Sequence, residues 1–129
     1  MAMKLIIPGE LPGLNEIIAE SKKGRGRWQP YNDMKQEHTE KVAWIARSKI
    51  KRELGKVDLN IIWHCENRRR DKDNIMAGTK FILDGLVMAG TIKNDGWRHV
   101  GNISHGFVVD KSNPRVEVLL TEIKEVENI

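Results

Sequence analysis

Apolar and polar positions alternate most regularly near the middle of the chain. Val57, Leu59, Ile61, Trp63 and Cys65 interleave with Asp58, Asn60, Ile62, His64 and Glu66, a period of two that predicts a half-buried strand. Helical spacing governs the stretch before it. Met34, Val42, Ile45, Ala46, Ile50 and Leu54 recur at about every third or fourth position, Asp33 with Gln36 resembles a capping box, and Gly55 supplies a stop, so a helix is predicted over about residues 32–54. A second helix is predicted over about residues 74–89 from Ile75, Phe81, Ile82, Leu86 and Met88, with Gly90 ending it. Residues 3–7 read as a first strand that Pro8 terminates. Residues 99–110 and 114–126 carry Ile103, Phe107, Val108 and Val109, then Val116, Val118, Leu120 and Ile123, about a turn at residues 111–114, and predict a terminal β-hairpin. The expected fold is α+β: a single domain over residues 1–129, in the order β-α-β-α-β-β, with two main helices on one mixed sheet.

Residues 9–30 break the pattern. Gly13, Gly24 and Gly26, the cluster Lys22, Lys23, Arg25 and Arg27, and only a short apolar pair at Ile17 and Ile18 predict a mobile basic loop. Charge sharpens this picture. The net charge of +4 is mild, but a second cluster at Arg68, Arg69 and Arg70 gives two local patches suited to a polyanion. Cys65 is the only cysteine, which excludes an internal disulfide and zinc-finger chemistry and fits a reducing, cytoplasmic setting. The apolar run at residues 5–7 is far too short for a membrane span or a signal-peptide core, so no membrane partner is expected.

The densest chemistry is Arg68-Arg69-Arg70-Asp71-Lys72-Asp73-Asn74, where the central strand gives way to the second helix. On an extended segment Asp71 and Asp73 point the same way and can converge on one ion, and their hard oxygen ligands suit Mg²⁺ or Mn²⁺. Spacing alone leaves other readings open. Asp73 can cap the helix, Asp71 can pair with neighbouring arginines, or the run can be a solvated turn. Asp95 beside Gly96 is an ordinary turn residue on the same footing, and Lys80 an exposed partner of Asp84.

The stretch RRRDKDNIMAGTKFILDGLVMAGTIKNDGWRHV, residues 68–100, resembles the signature of RusA-type Holliday junction resolvases. A basic run, Asp-x-Asp-Asn, a helix bearing lysine and Asp-Gly-Leu, and a later aspartate occur in the family's order, with weaker likeness at residues 12–15 and in the basic loop. The resemblance implies metal-binding carboxylates at Asp71, Asp73 and Asp95 and a catalytic lysine at Lys80, the latter across a three-residue insertion. Asn94 stands where the best-known members have a further aspartate. It further implies a Mg²⁺-dependent homodimeric endonuclease that nicks two opposed strands of a four-way DNA junction, of a kind often carried by phages or prophages. Positions 73, 77, 80 and 84 form one line on a continuous second helix, which would let Lys80 face the carboxylates.

On this reading Arg68, Arg69 and Arg70 contact phosphates beside the scissile one, while Lys22, Lys23, Arg25 and Arg27 wrap the backbone. Trp28 or Trp97 can stack on open bases or pack partly into the core, whereas Trp44 and Trp63 are expected in the core. His38, His64, His99 and His105 have no ligand-like spacing and read as structural, with His99 near enough in sequence to reach the site. The rivals are a less selective flap or fork nuclease using the same carboxylates, and a junction-binding protein that does not cut.

Overall fold

The computed structural model describes residues 2–123. It contains β1 (Ala2–Pro8), α1 (Leu14–Lys22), α2 (Pro30–Lys49), β2 (Val57–Cys65), α3 (Lys72–Met76), α4 (Thr79–Met88), β3 (Val100–Val109) and β4 (Arg115–Glu122). The strands form one four-stranded sheet in the order β1-β4-β2-β3. The result is a small single α+β domain with a mixed sheet.

The expected alternation of β2 is realised: Val57, Leu59, Ile61, Trp63 and Cys65 are buried and their neighbours are not. Leu5 and Ile7 from β1 and Val116, Val118 and Leu120 from β4 share that buried face. Phe81, Ile82 and Leu86 of α4 and Val42 and Ala46 of α2 complete the core. Each fully buried large side chain contributes roughly 1.5–3 kcal/mol. Across the opposite face, polar side chains of three strands meet at Glu117. Lys4 lies 2.9 Å from Glu117, Arg115 2.8 Å from the same carboxylate, and His64 3.5 Å from it. Lys4 first, then Arg115, hold the Glu117 carboxyl below the usual range.

The final two strands are not a hairpin. β2 lies between them, parallel to β3 and antiparallel to β4. The connection after β3 passes over the end of β2, where the Asp110 N–H donates to the Cys65 carbonyl at 2.8 Å, and Arg115 closes it with a 2.9 Å bond to Asp110. Turn residues and period two predict strands and a reversal, but not which strand each one joins. Residues 124–126 of the expected last strand lie outside the described residues.

Helix boundaries also shift. The supposed loop over residues 9–30 contains α1, which fully buries no residue and meets the core only through the half-buried Ile17; Leu14, Ile17 and Ile18 are its short helical stripe. α2 begins at Pro30, a residue pre-organised for the first helical position, and ends at Lys49. Ile50 and Leu54 then enter the core from non-helical backbone, with the Leu54 N–H bonded to the Thr91 carbonyl at 2.8 Å. The second helix is interrupted at Ala77 and Gly78, separating α3 from α4. Trp63 is core, but Trp44 is 67% exposed, contrary to expectation: the face of α2 that meets the core is set by Thr39, Val42, Ala43 and Ala46. No helix among the described residues is long and apolar enough to cross a membrane.

Gly85 explains the Asp-Gly-Leu motif. A Cβ there would meet Val42 Cβ and Cγ1 at 2.5 Å, so α2 and α4 can approach only over a bare backbone. Gly85→Ala gains about 1 kcal/mol of helix propensity, but overpacking against a branched, rigid neighbour costs about 1–3 kcal/mol. Net destabilisation is expected, read as a lower urea midpoint. A second prediction concerns Glu122, whose carboxyl is held at about 2, against an ordinary 4.5, by Arg52 first and the Gly55 N–H second. A depressed carboxyl stabilises the fold fully above 4.5 and loses that contribution as pH falls toward 2. Melting temperatures of Glu122→Gln should therefore fall less steeply than those of the wild type across that window.

Candidate active site

Beyond Cys65 the chain leaves the sheet and is fastened to the segment that follows β1. The Arg70 guanidinium lies 3.3 Å from Glu10 and 3.5 Å from Glu16, and donates to the Leu11 carbonyl at 3.1 Å. Glu10 also accepts the Glu66 N–H at 3.1 Å. Asn74, buried, accepts the Asn15 N–H through Oδ1 at 3.0 Å. A Cβ on Gly13 would sit 2.6 Å from that same oxygen, so the approach of α1 to α3 requires glycine there. Arg70, expected to hold phosphate, is thus committed to protein acceptors, whereas Arg68 and Arg69 make no side-chain bond or ion pair among the described residues.

A cleft of about 840 Å³ opens at this end of the sheet, lined by Asn67, Arg68, Asp71, Lys72 and Asp73 on one side and by Phe107, Val108 and Val109 on the other. The acidic pair does not lie on an extended segment. Asp71 is the N-cap of α3, with ψ of 156°, and Asp73 lies in its first turn, yet both face the cleft. The Asp71 side chain makes no capping bond. Neither carboxylate has a hydrogen-bond or ion-pair partner among the described residues. Lys72 Nζ lies 5.4 Å above the Phe107 ring, a cation–π contact that holds its charge at the cleft.

Free carboxylates at a cleft wall repel one another by about 1 kcal/mol at 4 Å in water, and a cation between them removes that cost. Mg²⁺ accepts one or two carboxylates and keeps waters for its remaining positions, so the donor chemistry of Asp71 and Asp73 fits Mg²⁺ or Mn²⁺. Among the described residues no three His, Cys, Asp or Glu side chains are grouped to hold an ion.

Asp95 is not brought to the pair within one chain. It lies exposed in the connection from α4 to β3, which meets the beginning of β2 through the Val57 N–H to His99 carbonyl bond at 3.0 Å. Asp71 follows the end of β2, a nine-residue strand that spans roughly 26 Å. Asn94 braces that connection, accepting the Gly96 N–H at 2.9 Å with His99 Nδ1 3.0 Å away. Lys80 does not line the cleft. It pairs with Asp84 at 3.5 Å, and Lys35 approaches the same carboxylate at 3.8 Å. The interruption at Gly78 removes the continuous helical line expected to aim Lys80 at the carboxylates, and Lys72 occupies the cleft instead.

Lys22 and Lys23 end α1, with Lys23 2.8 Å from Glu20, and Arg25 and Arg27 occupy the turn closed by paired Arg25 and Trp28 backbone bonds. Trp28 is 57% and Trp97 94% exposed. The apolar cleft wall at Phe107, Val108 and Val109 carried no local signal in the sequence, because it exists only through the parallel pairing of β3 with β2. Burial also sets the ionisation of two nearby groups. Burial pushes the Cys65 thiol up, away from thiolate character. Burial also lowers His105, whose Nδ1 accepts the Trp63 indole N–H at 3.0 Å, an arrangement that favours the neutral ring.

Compared with models of known protein families and with curated proteins, the chain matches none. If Asp71 and Asp73 are functional groups and Arg70 a structural one, their substitutions separate. Asp71→Asn and Asp73→Asn should change unfolding free energy by no more than about 0.5 kcal/mol. Arg70→Ala, which strands two acidic groups and a carbonyl, should cost about 1–3 kcal/mol in the same denaturation experiment.

Proposed function

We propose that this chain is a Mg²⁺-dependent endonuclease of the RusA type that resolves Holliday junctions by paired nicks in opposed strands. The observation that carries the reading is the unpartnered pair Asp71 and Asp73, facing an open cleft that the unpaired Arg68 and Lys72 also line. Structural carboxylates in such surroundings form ion pairs, as Glu10, Glu16 and Asp84 do here. A pair kept free amid cations is what a divalent ion and a phosphate require.

Asp71 and Asp73 would hold Mg²⁺, or Mn²⁺, and the bound ion would supply polarisation of the phosphoryl oxygen and a more acidic water. Lys72, at the cleft, is better placed than Lys80 to offset the charge that develops on phosphorus. Arg68 and Arg69 would fix the neighbouring phosphates, and Lys22, Lys23, Arg25 and Arg27 the backbone farther along. Trp28 and Trp97 offer exposed rings on which unpaired bases can stack. A homodimer suits the two-fold symmetry of a four-way junction, and a DNA substrate fits a cytoplasmic protein.

The test is a synthetic four-way junction incubated with the protein and Mg²⁺ or with a chelator. Symmetric paired nicks that need the metal are expected; nicks at flaps or forks instead would identify a broader branched-DNA nuclease. Asp71→Asn should bind junction and leave it uncut, and Lys72→Ala should cut roughly 100-fold more slowly. Binding without cutting by the wild type would reduce the chain to a junction-binding protein.

A further inference from the structure

β1 is bonded on one side to β4 and stands at the edge of the sheet on the other. The Gly9 N–H donates toward β4, to the Pro114 carbonyl at 2.9 Å, and in an antiparallel ladder successive residues turn their N–H and C=O groups to opposite sides. The backbone groups of Lys4, Ile6 and Pro8 therefore face outward. The Lys41 ammonium takes the Pro8 carbonyl, which leaves the N–H and C=O of Lys4 and of Ile6 without a bond among the described residues. Edge strands are commonly guarded by a charge or a proline. Here Pro8 guards only the end, and the Lys4 ammonium is drawn to Glu117 on β4 at 2.9 Å, away from the edge.

The second half of α2 runs beside this open edge. A groove of about 300 Å³ separates the two, with Lys4 and Ile6 on one wall and Trp44, Ile45, Ser48 and Lys49 on the other. Trp44 is 67% and Ile6 50% exposed. Among the described residues no acidic side chain lines the groove, and Lys49 has no ion-pair partner. These features select one occupant. Free N–H and C=O groups at strand spacing match another extended backbone, the apolar walls match its alternate side chains, and the lysines match carboxylates. A second copy fits poorly, because pairing two β1 edges about a two-fold axis sets the groove lysines of one copy against those of the other. We infer that the β1 edge takes up an extended segment of a partner protein, in which acidic and apolar residues alternate, as an added strand beside Trp44. Two strands, β4 and β2, separate β1 from β3 and its cleft wall, so the bound segment leaves the cleft open and the inference does not rest on the nuclease reading.

The probe is a short synthetic peptide of alternating glutamate and valine, labelled with fluorescein and followed by fluorescence polarisation against the full chain. Saturable binding in the micromolar range is expected. Trp44→Ala should weaken it roughly tenfold and Lys49→Glu roughly threefold, each with an unchanged urea midpoint. The same peptide with lysine for glutamate, or with methylated backbone nitrogens, should not bind. No binding by the wild type, equal binding of either control peptide, or undiminished binding by Trp44→Ala overturns the inference. Two further outcomes overturn it in favour of another occupant: a loss of affinity for oligothymidylate in Trp44→Ala, with no peptide binding by the wild type, assigns the face to nucleic acid, and a dimer in sedimentation equilibrium that Trp44→Ala dissociates assigns it to a second copy.

Discussion

The fold depends on β2 being hydrogen-bonded along both edges, parallel to β3 on one side and antiparallel to β4 on the other. A slip of one residue in either ladder would turn Val57, Leu59, Ile61 and Trp63 from the helices to solvent, so the buried alternation locks both registers at once. Parallel pairing also forces the chain to return from the end of β2 to its beginning before β3 can start. α3 and α4 are that return path. The polar residues of the first bend, including Asp71 and Asp73, are therefore held at one end of the sheet, and those of the second bend, including Asp95, at the other.

The cations near the cleft divide into three kinds by what they touch. Arg70 points into the protein and joins Glu10, Glu16 and Leu11, whereas Arg68 and Arg69 have only solvent before them. Three adjacent arginines thus differ in role because one is placed against the chain that follows β1. Lys72 takes a third course, resting its ammonium over Phe107. The cleft presents positive charge around a carboxylate pair without neutralising it, and that imbalance gives the site its chemical interest.

What could be read along the chain was whatever repeats locally. The alternation of β2, the core role of Phe81, Ile82 and Leu86, and the α+β class were legible because burial imprints a period. α1 was not, since its stripe of Leu14, Ile17 and Ile18 is short and set among glycines and charges, and Trp44 was misjudged because an aromatic ring on an amphipathic helix carries no mark of the side it takes. The partner of each late strand was equally hidden: period two is the same in a hairpin and in two strands flanking a third. At the site, the acidic pair and the arginine run stood out by composition. That Arg70 is spent on Glu10 and Glu16, and that Phe107 to Val109 form a cleft wall, depends on contacts between segments far apart in sequence.

One clip reaches further than its size suggests. Arg70 and Asn74 join positions 59 residues apart, to Leu11 and Asn15 respectively, and so pin the start of α1 beside the acidic pair while its lysines project from the other end. α1 runs for nine residues, about 13 Å. On the proposed nuclease reading its free end would act as a ruler: a strand gripped there would be cut at Asp71 and Asp73, offset from the grip by the length of the helix.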